Sequence, residues 1–212
     1  MKYEWRKDEK DLYLPKNKPV FITVPEFGFI TIKGAGNPNK PAFAGYIQAL
    51  YPIAYGIKMG LKKGTDQPKG YADFTVYPLE GIWDVSEQAK KSPSAKLNKD
   101  ELIFTLMIRQ PDFVTKAYFE DIHQQVVEKK GAENPHIAEV RFENIVDGPS
   151  VQMLHLGPYD EEPASFAIME KFAQEQGLQR ISKIHREIYL SDFRKVPPER
   201  LKTVLRFAVK TK

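Results

Sequence analysis

The sequence predicts an α+β fold of duplicated β-α-β-β units, related by pseudo-twofold symmetry and forming a central ligand cleft. Three observations predict it. Strand-like and helix-like segments occur twice in the same order, glycines and prolines break them at matching points, and a late strand alternates aliphatic with titratable residues. A chain of 212 residues accommodates one large domain or two small repeated units.

Residues 1–19 read as an N-terminal extension. Val20–Lys33 is extended, with Phe21, Val24, Phe27, Phe29 and Ile32 among its apolar residues, and Gly34-Ala35-Gly36-Asn37-Pro38 breaks it. A helix-like segment follows from about Pro41 to Met59, where Pro52 implies a kink or a division into two short helices. Gly60–Gly70 reads as a flexible connection. Tyr71–Trp83 and Leu102–Arg109 read as strands, the second apolar on both faces, so the first repeat covers about 20–110. Between them Val85–Lys99 is polar, carries Ser92-Pro93-Ser94, and reads as a loop.

A bridging helix is expected from about Thr115 to Lys130, ended by Gly131. The order then recurs over about 149–210. Ser150–Leu156 is strand-like and is broken by Gly157-Pro158. Glu162–Gln176 carries Phe166, Met169 and Ala173 at helical spacing and ends at Gly177, and Ile184–Leu190 and Thr203–Val209 complete the strands. The repetition is one of element order rather than residue identity. It places a groove between the two copies as the expected ligand site.

Composition narrows the class. The chain is 42% hydrophobic and 28% charged, the balance of a soluble globular protein. Aromatics reach 12%, which suits stacking on flat ligands and also suits a core. The net charge of +4 is spread along the chain, and its clusters at Lys58–Lys69 and Lys90–Lys99 read as solvated loops, so no direct nucleic-acid partner is expected. Without cysteine there is no disulfide, thiolate or Cys-ligated metal chemistry. A charged N-terminus with no apolar run after it, and no segment long enough to span a bilayer, lead to an expected cytoplasmic address without a membrane partner. The oligomeric state is not legible.

At strand period His185, Glu187 and Tyr189 share one face, while Ile184, Ile188 and Leu190 share the other. Glu187 has two readings. It is an exposed strand carboxylate paired with Arg186 or a lysine, or it is held to meet a cationic ligand or to deprotonate water. Trp83, beside Gly81, is a core residue or a ligand platform at a strand end. Glu80 is a possible second cleft carboxylate whose direction Gly81 leaves undecided. His155, in His155-Leu156-Gly157-Pro158-Tyr159, either donates a proton to a ligand or bonds backbone at a turn, and Tyr159 is placed to wall a cleft. Tyr46, Tyr51 and Tyr55 form an aromatic stripe suited to a core or to a cleft edge. Tyr71 and Met107 complete the ligand-facing set.

Sharper mechanisms fail. Gly34-Ala35-Gly36 lacks a Gly-Lys-Ser/Thr continuation, and there is no Gly-x-Ser-x-Gly elbow. His155, His185 and Glu187 have ligand chemistry but no His-Glu-x-x-His or comparable spacing, so neither metal nor cofactor is expected.

Four motifs in order resemble the GyrI-like small-molecule-binding family over roughly Val20 to Lys210. They are Tyr77-Pro78-Leu79-Glu80-Gly81-Ile82-Trp83, Met107 through Thr115, Val151 through Tyr159, and His185-Arg186-Glu187-Ile188-Tyr189-Leu190-Ser191-Asp192. The resemblance implies a duplicated β-α-β-β fold whose groove holds hydrophobic, aromatic and often cationic compounds, with Glu187 at the acidic position that meets them. The chain looks closest to a stand-alone branch that resembles hydrolases of cyclopropanoid DNA-alkylating compounds. The residues ahead of Val20 are too few for the helix-turn-helix of the family's regulators. Arg186 stands where many relatives carry a second histidine, and Phe193 where proline is usual.

On that resemblance the expected activity is water addition to an electrophilic cyclopropane. Glu187 is the general base, Tyr189 and His155 are acids or hydrogen-bond donors, and Trp83, Tyr46, Tyr55, Tyr71, Met107, Tyr159 and His185 contact the ligand. The alternatives are a non-catalytic sink or sensor for cationic aromatic compounds and, further off, a gyrase-modulating interaction protein.

Overall fold

In the computed structural model, which describes residues 2–65, 67–91 and 97–211, the chain order is as follows. Two short helices, α1 (Trp5–Asp8) and α2 (Lys10–Tyr13), precede strand β1 (Val20–Ala35) and helix α3 (Phe43–Lys63). Then come β2 (Leu79–Val85), α4 (Glu87–Lys91), β3 (Leu102–Arg109), α5 (Lys116–Lys130), β4 (Arg141–Leu156), α6 (Glu162–Glu175), β5 (Leu178–Arg180), β6 (His185–Tyr189) and β7 (Lys202–Thr211). The fold is α+β. Hydrogen-bonded strands follow the order β4-β1-β3-β2-β6-β7-β5, with β4 also pairing with β7. Among the described residues no helix is long and apolar enough to cross a membrane.

Several boundaries differ from the sequence reading. Pro52 lies inside one continuous 21-residue α3, so the helix is not divided. Its ring replaces one N–H in a helix held by its buried stripe of Ala49, Leu50, Ile53, Ala54, Ile57 and Leu61. The same helix runs on through Gly60 to Lys63, shortening the expected flexible connection. The strand expected from Tyr71 begins only at Leu79, and before it Phe74 makes an isolated parallel bridge to Tyr3. Within Val85–Lys99 a short helix forms at Glu87–Lys91, and Ser92-Pro93-Ser94 lies outside the described residues. The second strand-helix-strand-strand run contains one more strand than the first, the three-residue β5.

The chain divides into two units. Unit 1 comprises Met1–Tyr3, Phe27–Tyr77 and Trp83–Ile145, and unit 2 comprises Glu4–Glu26, Pro78–Ile82 and Val146–Lys212. In unit 1, β1 pairs antiparallel with β3 from Phe29 opposite Arg109 to Ala35 opposite Ile103. Ile30, Ile32, Leu106, Met107 and Ile108 are fully buried there, each contributing about 1.5–3 kcal/mol by removal from water. Gly34 is required by close approach, since a Cβ would lie 2.5 Å from the Phe104 ring and 2.8 Å from Tyr46. Helix α5 is capped by the Thr115 side chain, which accepts from the Tyr118 N–H, and it ends at Gly131 as expected.

In unit 2, β7 pairs antiparallel with β4, β5 and β6. Val151, Met153, Leu205, Phe207 and Val209 from these strands meet Met169 and Ala173 of α6 in one apolar core. The N-terminal extension contributes to this unit. Trp5 and Tyr13 are buried with ring centroids 5.3 Å apart. Gln152 donates to the Asp11 carbonyl at 2.5 Å, and Arg206 donates to the Leu12 carbonyl at 3.1 Å.

Candidate functional site

Strand β6 positions the site because its side chains alternate between two faces. One face carries Arg186 and Ile188, both buried. Arg186 bonds Glu80 at 2.7 Å and Asp147 at 2.6 Å, and Asp147 bridges onward to Arg206 at 3.0 Å. Arg186 and Arg206 are directly opposite each other in the β6–β7 ladder, an arrangement that repels unless a carboxylate bridges it. Burial pushes the Asp147 carboxyl up, but the Arg186 and Arg206 guanidiniums outweigh that and hold it below its ordinary value. Glu80 is therefore an ion-pair partner with its direction settled, and Tyr13 reaches it at 3.5 Å.

The other face carries His185, Glu187 and Tyr189, the trio expected from the alternation. Glu187 is buried, 8% exposed, and turned away from Arg186. Its Oε1 lies 3.1 Å from His185 Nε2, and Tyr189 donates its hydroxyl to Oε2 at 2.8 Å. The other ring nitrogen of His185, Nδ1, lies 3.2 Å from the Lys183 carbonyl. Both partners of this imidazole are acceptors. A neutral ring has a single N–H to offer, so it can donate to only one of the two at a time.

A second carboxylate joins the trio. Glu162, in the first turn of α6, is 6% exposed, and Glu162, His185 and Glu187 each present a ligand-type atom within 4.8 Å of the other two. The helix N-terminus is a favourable place for its charge. Three residues on, Ser165 contacts His155 Nδ1 at 2.9 Å, while His155 Nε2 lies 3.1 Å from the Pro158 carbonyl. A neutral His155 satisfies both, donating from Nε2 and accepting the Ser165 hydroxyl at Nδ1, so the turn reading describes its contacts. Gly157 allows this turn through a φ of +127°, in the region that favours glycine.

Tyr159 follows the turn and stands edge-on to Tyr189, with ring centroids 6.0 Å apart. Burial, then the negative charges of Glu187, Glu162 and Asp192, push its phenol far above the ordinary tyrosine value. The phenol therefore stays protonated.

The other candidates lie in unit 1. Trp83 is buried, 5.3 Å from Phe104 and 5.9 Å from Phe43. Tyr46 stacks on His136 at 4.1 Å and meets Phe104 edge-on. Tyr71 meets Phe113 edge-on. Met107 is fully buried, and Tyr55 is half exposed beside Tyr51. The structure thus gathers His155, Tyr159, His185, Glu187 and Tyr189 within unit 2. It places Trp83, Tyr46, Tyr55, Tyr71 and Met107 among the side chains of unit 1.

Glu162 was missed in the sequence, although a signal for it exists. The buried residues of α6 are Glu162, Ser165, Met169 and Ala173, a stripe at helical spacing whose first two members are polar. Extending the Met169–Ala173 periodicity back by two turns would have turned Glu162 inward.

Comparison with known proteins identifies the family. The profile described as the GyrI-like small molecule binding domain matches residues 17–210. A solved structure described as a hydrolase from Listeria innocua is 37% identical, covers 98% of this chain and all of its own, and superposes with a TM-score of 0.84. A second hydrolase structure from the same organism is 39% identical, with 99% of this chain and 100% of the other covered and a TM-score of 0.85. A conserved protein from that organism, described as uncharacterized, is also 39% identical over 98% of this chain and 100% of its own, with a TM-score of 0.86. No curated protein matches. The chain belongs to the GyrI-like small-molecule-binding family.

Proposed function

We propose that this GyrI-like domain adds water to electrophilic cyclopropanes carried by flat aromatic compounds, with Glu187 as general base. The observation that carries the reading is the buried Glu187 carboxylate, engaged at one oxygen by His185 and at the other by Tyr189. A carboxylate held at both oxygens in this way still has a lone pair left for a water. The likeness to two Listeria innocua proteins described as hydrolases supports a reaction rather than binding alone.

The chemistry balances without a cofactor. Water gives a proton to Glu187 while its oxygen bonds the ring methylene. The strained carbon–carbon bond breaks, and its electron pair passes through conjugation to the substrate carbonyl oxygen. Tyr159 hydrogen-bonds that oxygen as charge accumulates, while Tyr189 holds Glu187, and the oxygen then takes up one proton to give the neutral ring-opened alcohol. His155, held by Ser165 and Pro158, fixes the turn that presents Tyr159. The opened product no longer has an alkylating ring, so the reaction is a detoxification.

The test is incubation of the protein with a cyclopropanoid, followed by mass spectrometry. Addition of one water to the compound, dependent on Glu187, is the expected result. Tight binding with the compound unchanged would replace this reading by that of a sink for cationic or aromatic compounds, which the neighbouring Glu162 carboxylate favours through its negative charge.

A further inference from the structure

Outside the ion pairs of β6, the most distinctive group of titratable side chains is Glu162, His185 and Glu187. Their mutual geometry is that of ligands to one cation. His185 Nε2 and Glu187 Oε1 are 3.1 Å apart. Two bonds of about 2.1 Å to a shared ion would then enclose an angle of about 95°, between octahedral and tetrahedral values. A Glu162 oxygen lies within 4.8 Å of both and supplies the third member of a three-ligand face. The sequence considered His155, His185 and Glu187. The structure exchanges His155 for Glu162, because His155 is already satisfied by Ser165 and Pro158.

Two further contacts point the same way. In the tautomer that a bound metal ion requires, the Lys183 carbonyl accepts the Nδ1 proton of His185 and the Nε2 lone pair is directed at the Glu187 carboxylate. A lone pair facing an anion is repulsive unless a proton or a metal ion stands between them. Tyr189 donates to the outer oxygen of Glu187 and so fixes its plane. A carbonyl on the distal histidine nitrogen and a donor on the distal carboxylate oxygen are the supports that hold metal ligands in place.

We propose that Glu162, His185 and Glu187 bind one divalent transition-metal cation of the zinc class. One nitrogen and two carboxylate oxygens suit such an ion. Calcium, which takes six to eight oxygens, is poorly served. His185 is the least buried of the three and gives the ion its way in. The proposal does not depend on the hydrolase reading, because binding can be measured without any organic substrate.

The experiment is calorimetric titration of the intact protein with zinc chloride at neutral pH, alongside the absorption spectrum of its cobalt(II) form. One ion per chain is expected, with visible d–d bands from cobalt. His185→Gln and Glu162→Gln should each weaken zinc binding by about tenfold or more. His136→Gln, which alters a histidine paired with Glu139 in unit 1, should leave it unchanged. Circular dichroism identifies any variant that fails to fold, and the folded ones decide. Absence of zinc binding by the native protein, unaltered affinity in the folded site variants, or loss of affinity in His136→Gln would overturn the assignment.

Discussion

Arg186 and Glu187 are adjacent on β6, point to opposite faces and are both buried, yet their charges are met differently. Arg186 lies between Glu80 and Asp147, and Asp147 is shared with Arg206, so two guanidiniums and two carboxylates close into a neutral group. Gln152 accepts from Nε and Nη2 of Arg206, and the Leu12 carbonyl accepts from Nη2. Glu187 instead meets a histidine and a phenol, with a second carboxylate, Glu162, nearby. The first arrangement balances charge within the chain and serves the fold. The second sets two buried carboxylates beside one histidine, the grouping that the proposed base and cation site draw on.

The comparison can be broken first at Glu187. Glu187→Gln preserves shape and hydrogen bonding but removes the base. Turnover of a cyclopropanoid should fall by about 10²–10⁴-fold while the melting temperature changes little. Steady-state kinetics and a thermal melt decide together, and turnover that survives would return Glu187 to a binding role.

Arg186 should show the reverse pattern. Arg186→Met leaves Glu80 and Asp147 buried without their main cation, and breaking a buried pair this way costs about 3–5 kcal/mol. Denaturant unfolding measures the loss. A variant as stable as the native protein would mean that the network is dispensable.

Acid sharpens the same contrast. Because Asp147 has a folded pKa below its ordinary value of 3.8, its stabilising contribution is complete above that value and disappears as pH falls through the lower folded one. The stability gap between the native protein and Asp147→Asn should therefore be widest near neutrality and close in strong acid. Unfolding curves taken across that range would show a constant gap if the arginines did not hold the charge.

The smallest effect is expected at Ser165. Ser165→Ala removes the hydroxyl partner of His155 Nδ1 and should cost about 0.5–1.5 kcal/mol. Turnover should change less than in Glu187→Gln. A loss of turnover equal to that of Glu187→Gln would make His155 part of the chemistry rather than of the turn.

Legibility followed local physics. Strand β3 was readable to both ends because its residues are apolar on both faces, and α5 because Thr115 and Gly131 mark its limits. The start of β2 was not, since Tyr71–Tyr77 is rich in strand-forming residues but is held by side-chain packing, as where Tyr71 and Phe74 meet Phe113. Pro52 reads locally as a breaker, and the buried face of α3 overrides it. Strand β4 starts at Arg141, well before the expected Ser150, because residues 141–149 include many charged and polar side chains and carry little alternation.

By itself the sequence determined the alternation around Glu187, the order of strands and helices, and the absence of cysteine chemistry. These depend on residue type and on spacing along one element, which a linear chain displays. Only the tertiary structure decided that Glu80 serves Arg186, that His155 is bound at its own turn, and that Glu162 stands beside Glu187. Those pairings join residues up to 106 positions apart. They arise from how α6, β2 and β6 pack, and no local periodicity records such distances.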